Sequence, residues 1–293
     1  LPLPRPPLSQ HSWLPPLSKP LLPLPRPLLP QHSWLPPRST PLLPLPRPHL
    51  LNSGRGVCVP KTDASVRPIV VGSVFLRLIG SLALHHNREA CEDYFTGPQA
   101  KGKQFGVGTR DGCSLMAACI EAHLEANPGH IDISCDLANA FNSFDRSALW
   151  PTLQAKFPNM VRYIVMTYGE AAPVFFREGG VLTTILNSVG SRQGCSLGSF
   201  LMAVALQPIL QQLADEFDDV LVTAYCDDVH FTGAPARVVA AYARYSALTS
   251  SLLQNKLRPD KSEVYAPQVS EEALRAVGLP DEFVSEKIHS DGL

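Results

Sequence analysis

The sequence lacks the signatures of several protein classes. Its seven cysteines form no CxxC pair and no zinc-type cluster with histidine, which argues against a disulfide framework or a zinc knuckle. No apolar run approaches the ~20 residues of a membrane-spanning helix, and prolines interrupt the N-terminal leucines too often for a signal peptide. We therefore expect an intracellular protein, nuclear or cytoplasmic, with reduced cysteines in its core.

Positive charge is scarce outside the N-terminal segment. Five of the 25 Lys and Arg residues lie in the first 50 residues, which hold no acid, so 20 basic residues face 26 acids in the remainder. A protein that binds nucleic acid needs a basic surface against the phosphates. Such a function would require a local basic groove, or a basic region outside this chain.

The first 50 residues differ in composition from the rest. The unit LPLPRPPLSQHSWLPPLSKPL at 1–21 recurs at 22–42 as LPLPRPLLPQHSWLPPRSTPL, and a third copy begins at Leu43. Proline lacks the N–H that helices and inner strands need, so residues 1–53 are predicted to be disordered or polyproline II. A translated tandem repeat without selected function is favoured over a ligand of a proline-recognising domain for residues 1–50.

Two adjacent acids lie within the stretch VLVTAYCDDVHFTG, residues 220–233. The flanking runs are rich in β-branched residues, so the stretch predicts a β-hairpin with Asp227 and Asp228 at its tip. Adjacent carboxylates repel and raise each other's pKa, a cost that a hard cation such as Mg²⁺ offsets. From spacing alone, a metal site and a solvated turn are equally good interpretations.

A third acid strengthens the metal hypothesis. The run HIDISCD at 130–136 alternates apolar and polar residues, which predicts a strand that ends at Asp136. An acid at a strand end beside an acidic hairpin is an arrangement that holds two metal ions for nucleotidyl transfer.

Several motifs then support a family resemblance. Asp136 with Ala140 and Phe141, SRQGCSLG at 191–198, YCDD at 225–228 and PDKSEV at 259–264 resemble, in order and spacing, the palm motifs of reverse transcriptases. VPKTDASVRPIV at 59–70 and QFGVGTRDG at 104–112 resemble the fingers motifs of the type without long terminal repeats. The resemblance implies an α/β (α+β) fold: a polymerase palm with an antiparallel sheet and helices on one side, plus fingers.

The resemblance also implies catalytic roles. Asp136, Asp227 and Asp228 would hold two Mg²⁺ ions, or Mn²⁺ in their place. Lys261 would act as the general acid that protonates pyrophosphate, although by itself it reads as one of many surface lysines.

Further residues would bind the substrate. Lys61 and Arg67 would hold the triphosphate, where the sequence alone favours a solvated basic loop. Phe141 would lie beneath the sugar and exclude a 2′-hydroxyl, which argues for DNA synthesis. The remaining contacts to nucleotide or template would come from Gln193, Gly194 and Tyr225.

The resemblance divides the chain into fingers at 54–130, palm at 131–267, and a lead at 268–293 into a primer grip and thumb that are missing. The expected partners are an RNA template, a DNA primer and deoxynucleoside triphosphates. We expect a retroelement fragment with weak or no activity alone. The alternative is a non-catalytic remnant or domesticated nucleic-acid-binding module.

Overall fold

The structure is a computed structural model that describes residues 52–60, 66–283 and 285–289. The predicted proline-rich segment and Lys61 therefore lie outside the described residues. Within these ranges, no helix combines the length and the apolar character that crossing a membrane requires.

A six-stranded, mostly antiparallel sheet forms the centre of the molecule. In the described part of the chain, a second sheet of four strands shares no strand pairing with it. The strand orders are β10-β9-β4-β8-β7-β3 and β2-β1-β5-β6. The strands are β1 Gly54–Pro60, β2 Val66–Gly72, β3 Lys103–Gln104, β4 Ile131–Cys135, β5 Ala172–Glu178, β6 Val181–Asn187, β7 Leu221–Tyr225, β8 Asp228–Gly233, β9 Glu263–Tyr265 and β10 Ile288–His289.

The helices follow the apolar periodicity of the sequence. Short 3₁₀ turns at Arg146–Ala148 and Ser285–Lys287 supplement them. The helices are α1 Val74–His86, α2 Arg88–Thr96, α3 Gly112–Ala126, α4 Ala140–Ser143, α5 Leu149–Lys156, α6 Pro158–Tyr168, α7 Gly198–Glu216, α8 Pro235–Leu248 and α9 Glu271–Ala276.

The core lies between the central sheet and helices α7 and α8. Ile131, Ile133 and Cys135 alternate along β4 and are fully buried, as the period-two pattern predicted. On the next strand Phe231 meets Tyr245 of α8 edge to face, with ring centroids 5.4 Å apart. Helix α3 packs at β7 through a second cluster, in which Phe105 and two α3 residues contact Tyr225.

The four-stranded sheet joins two distant segments. β1 and β2 are antiparallel, β5 and β6 are antiparallel, and β1 pairs in parallel with β5. The turn of the second hairpin lies at Gly179–Gly180, as predicted. Its strands fall inside the predicted palm range and those of the first hairpin inside the predicted fingers range. The domain boundaries stay a prediction.

Two helix boundaries differ from the sequence expectation. The apolar spacing of the sequence is helical over 74–88, but the helix ends at His86, because Asn87 leaves helical geometry with φ −99° and ψ 14°. The sequence also has helical spacing over 235–256, but that helix ends at Leu248 and continues as a π-helical turn, Thr249–Leu253. The extra residue in that turn rotates the side chains, so Leu253 is buried and Leu252 is exposed.

The cysteines were expected in the core, and this was wrong for most of them. Only Cys91 and Cys135 are buried, whereas Cys58, Cys113 and Cys119 are exposed. The spacing of apolar residues is a poor guide to which face of an element is buried when that element is an edge strand or a surface helix. All seven are free thiols.

Candidate active site

The predicted acidic hairpin is present. β7 and β8 pair antiparallel with Tyr225 opposite Asp228, which leaves a two-residue turn of Cys226 and Asp227. Cys226 has a positive φ of 59°, a value that favours glycine at the first position of such a turn. Asp227 is partly buried and Asp228 is exposed.

Asp136 lies beside this hairpin because β4 pairs with β8 up to Cys135 and Val229. The segment 258–262 fixes its backbone on both sides. The Asp136 N–H donates to Ser262 Oγ at 3.1 Å, and its carbonyl accepts from the Arg258 N–H at 2.8 Å. Ser262 is fully buried and donates in turn to the Arg258 carbonyl at 2.9 Å. The strand-end acid is therefore held on a rigid support.

The three carboxyl groups have raised pKa values. Burial is the main cause at Asp136 and Asp227, and it raises the pKa of Asp227 to about 6. Asp228 is exposed as a residue, but neighbouring groups desolvate its carboxyl group, and this raises its pKa as well. The neighbouring charges of Asp228 and then Asp136 raise the pKa of Asp227 further. For Asp136, Lys261 and Arg258 oppose the effect of burial. Close, partly desolvated carboxylates of this kind are destabilising unless a cation or a proton joins them.

The donor set fits Mg²⁺ in one particular way. Within the described ranges, no group of three or more His, Cys, Asp or Glu side chains is arranged to hold a metal ion by itself. Mg²⁺ is commonly bound through one or two carboxylates together with substrate phosphates and water, rather than by a cage of protein ligands. Asp136 and Asp227 match that pattern in donor type and charge.

The structure brings two of the three predicted cations to the acids. Arg67 lies exposed on β2, and its charge lowers the pKa of Asp227. Lys261 is exposed, and its charge lowers the pKa of Asp136. Each cation therefore lies within electrostatic range of one of the carboxyl groups that are expected to bind metal.

The loop 190–194 contains two of the other predicted substrate residues, Gln193 and Gly194, and contacts a third, Phe141. Phe141 is half-buried in α4, and its carbonyl accepts from the Ser191 N–H at 2.6 Å. Gly190 has φ +59°, and a Cβ there would overlap the backbone of Phe141 and Asn142. Only glycine fits this position, so the loop is drawn against α4.

Gln193 and Gly194 face β2. The Gln193 carbonyl accepts from the Val70 N–H at 2.7 Å, and Gly194 lies against the Val70 carbonyl. The Oε1 atom of Gln193 is buried and, among the residues that the structure describes, has no hydrogen-bond partner. Buried polar atoms are rarely left unpaired.

Tyr225 is placed differently from the other predicted contacts. Its side chain is half-buried and packs on the cluster of Phe105, Met116 and Ile120. This packing positions the residue that precedes the turn. A contact of Tyr225 with substrate stays a prediction.

Sequence reasoning missed the buried arginines behind the site. Arg146 is 8% exposed and donates to the carbonyls of Gly190 at 2.8 Å and Tyr168 at 3.2 Å, and to Asn187 Oδ1 at 2.6 Å. The Tyr168 ring lies 5.1 Å from the Arg146 guanidinium and 4.9 Å from that of Arg192. Arg146 follows a helix-capping Asp145, so nothing in its neighbourhood distinguished it from a surface residue.

Solved structures share this architecture. An apo telomerase from Candida tropicalis, truncated from its C-terminal domain, is similar with a TM-score of 0.55 and 12% identity, over 76% of this chain and 51% of that chain. The telomerase of Candida albicans, in complex with a fragment of telomeric RNA, gives a TM-score of 0.53 and 13% identity, over 75% of this chain and 43% of its own. At these identities the likeness shows the fold alone.

Sequence comparison connects the motifs to a family. The "Retrotransposable element SLACS 132 kDa protein" of Trypanosoma brucei gambiense is 28% identical over 179 residues, which is 60% of this chain and 14% of that protein. The profile described as "Reverse transcriptase (RNA-dependent DNA polymerase)" matches residues 59–274. That range includes both acid-bearing strands, Arg67, the 190–194 loop and Lys261. The chain therefore belongs to the reverse transcriptase family, and it is similar to the reverse transcriptases of retrotransposons that lack long terminal repeats.

Proposed function

We propose that this domain extends a primer with deoxynucleotides on an RNA template, using Asp136 and Asp227 as metal ligands. The observation that carries the proposal is their placement at adjacent strand ends, with raised pKa values and no protein cage around them. We also propose the fingers at 54–130 and the palm at 131–267 as its working parts.

The family uses divalent metal ions. We propose that Asp136 and Asp227 hold two Mg²⁺ ions, with Asp228 as a further ligand beside them. When bound, the ions activate the primer hydroxyl and neutralise charge on the triphosphate.

The remaining steps fall to side chains near these acids. Arg67 would pair with phosphate oxygens, because its guanidinium is exposed and already within electrostatic range of Asp227. The primer 3′-hydroxyl would lose its proton to water or to a site carboxylate as its oxygen attacks the α-phosphorus, and the bond between that phosphorus and pyrophosphate would break. Lys261 would donate its proton to that leaving group. The Gln193 oxygen would accept a hydrogen bond from the nucleotide or template.

That this chain binds an RNA template and a DNA primer is part of the proposal. The chain spans about one seventh of its retrotransposon relative and about half of the telomerase chain, so the whole proteins' activities do not transfer to it. Residues 51–293 carry 20 basic residues against 26 acids. We therefore expect nucleic-acid binding that is weak and that falls steeply with salt.

Primer extension tests the proposal. The purified chain, an RNA template with an annealed DNA primer, deoxynucleotides and Mg²⁺ should give extension by at least one nucleotide at low salt. EDTA should abolish it, and Mn²⁺ should restore it. If the chain binds the duplex but adds no nucleotide with either metal, the function is nucleic-acid binding without catalysis.

A second expected result concerns the sugar. Phe141→Ala should admit ribonucleotides, because removing the ring opens space where a 2′-hydroxyl would collide. Phe217→Ala is the matched control, since Phe217 is also half-buried against the same core but caps α7. The measurement is the ratio of ribonucleotide to deoxynucleotide incorporation. Continued exclusion of ribonucleotides by Phe141→Ala would remove Phe141 from this role.

A further inference from the structure

A buried glutamine reaches the turn that carries Asp227. Gln104 ends the short strand β3 and is 0% exposed. Its Oε1 accepts from the Cys226 N–H at 2.7 Å, and its Nε2 donates to the Cys226 carbonyl at 2.9 Å. The side-chain amide thus pairs with the Cys226 peptide groups as a neighbouring strand would, at the point where β7 itself turns away.

The turn needs such support. Cys226 adopts a φ of 59°, which costs free energy for a residue with a side chain. Residues keep such strained conformations only where several contacts from the surrounding structure hold them in place. The two hydrogen bonds between the Gln104 side chain and Cys226 fix both the N–H and the carbonyl of this strained residue.

The two residues after Gln104 support the end of β7 and the Gln104 side chain itself. The Phe105 N–H donates to the Ala224 carbonyl at 2.7 Å, and its ring belongs to the cluster on which Tyr225 packs. The Gly106 N–H donates to Gln104 Oε1 at 3.0 Å. A Cβ on Gly106 would lie 2.5 Å from the Cys226 nitrogen, so only glycine permits this approach.

We propose that the segment Gln104-Phe105-Gly106 positions the Asp227 carboxylate for metal binding by holding the backbone of the Cys226 turn. Asp227 is the next residue after Cys226, so any rotation of that peptide redirects its side chain. Metal sites depend on partners that orient the ligands. The inference rests on the proposed function for the metal and makes Gln104 a positioning residue.

Hydrogen exchange tests the contact without any metal. Gln104→Met keeps the side-chain length and removes all three hydrogen bonds, so the Cys226 amide should exchange about tenfold faster. Gln207→Met is the matched control. Gln207 is also 0% exposed and donates to Gly102 and Lys101 carbonyls just before β3, without touching the turn. Equal protection of Cys226 in wild type and Gln104→Met would overturn the proposal.

Binding of Mn²⁺, followed by electron paramagnetic resonance, tests the consequence. Affinity should fall about tenfold in Gln104→Met and stay unchanged in Gln207→Met. Wild-type affinity in Gln104→Met would overturn the positioning role while leaving the proposed function intact. If wild type binds Mn²⁺ no better than a double Asp136→Asn, Asp227→Asn variant, the proposed metal site fails instead.

Rescue separates positioning from simple loss of packing. Cys226→Gly relieves the cost of positive φ, so adding it to Gln104→Met should recover part of the Mn²⁺ affinity. No recovery would contradict the proposal. If Gln104→Met does not fold, Gly106→Ala displaces the same turn without altering a hydrogen-bonding side chain, and it should speed Cys226 exchange and weaken Mn²⁺ binding. Unchanged values of both in Gly106→Ala would equally overturn it.

Discussion

Asp227→Asn should make the protein more stable and at the same time inactive. Burial raises the pKa of Asp227 from 3.8 to about 6. The charged carboxylate therefore destabilises the folded state, and the free energy of unfolding falls as pH rises from about 4 to about 6. At pH 7 the neutral amide should add on the order of 1–2 kcal/mol, after allowance for partial exposure. At pH 4 the two proteins should be equally stable.

Activity should change in the opposite direction. Nucleotide addition should fall by roughly 1,000-fold or more, because a bound metal ion supplies several kcal/mol of transition-state stabilisation. The measurements are thermal unfolding in EDTA at both pH values and single-nucleotide extension with Mg²⁺. A variant that is inactive because it is destabilised at pH 7 would contradict this reading of Asp227.

The matched control is Asp219→Asn. Asp219 is exposed and pairs with Arg237, which lowers its pKa. Its removal should leave extension unchanged and should not raise stability at pH 7. A loss of extension in this control would mean that acid-to-amide changes disturb the chain in general.

The largest loss of stability should follow Arg146→Met. The buried guanidinium donates to the carbonyls of Gly190, Tyr168 and Val189 and to Asn187. Methionine fills similar volume but leaves these acceptors without partners. We expect a destabilisation of about 3–5 kcal/mol, which corresponds to a lowering of Tm on the order of 10 °C.

Denaturant unfolding at pH 7 measures this effect. Arg237→Met provides the comparison, because Arg237 donates to both Asp219 oxygens from an exposed position. Its loss should cost less than about 1 kcal/mol. Equal effects of the two changes would show that the buried hydrogen bonds around Arg146 contribute little.

The sequence predicted those parts of the site that depend on local pattern. The hairpin at 220–233 and the strand ending at Asp136 follow from β-branched runs and period-two alternation, and both are confirmed. An acid at the start of a helical run is a typical N-cap, and the Asp145 carboxylate accepts the Ser147 N–H at 2.8 Å. The reverse transcriptase resemblance supplied the family and is confirmed by the profile match over residues 59–274.

The parts that were missed depend on partners far away in the sequence. Gln104 and Cys226 are 122 positions apart in the sequence, and the residues around each of them give no sign that the two are in contact. Arg146 reads as a charged residue at a helix start, yet it is buried and donates to five acceptor atoms of Gly190, Tyr168, Asn187 and Val189. The π-helical turn after Leu248 buries Leu253, whereas nothing in the smooth helical period of the sequence indicated an extra residue in that turn.

The parallel pairing of β1 with β5 has a consequence during synthesis. Gly54 pairs with Val174, about 120 positions later, so the loop that this contact closes is long. At about 5–20 residues per second, roughly 6–24 seconds separate the emergence of β1 from that of β5. Throughout that interval the β1–β2 hairpin has an open edge, with Val57, Val59 and Val66 exposed even in the finished fold. A nascent chain stalled before β5 is therefore a candidate for strand-to-strand association with its neighbours on the same messenger.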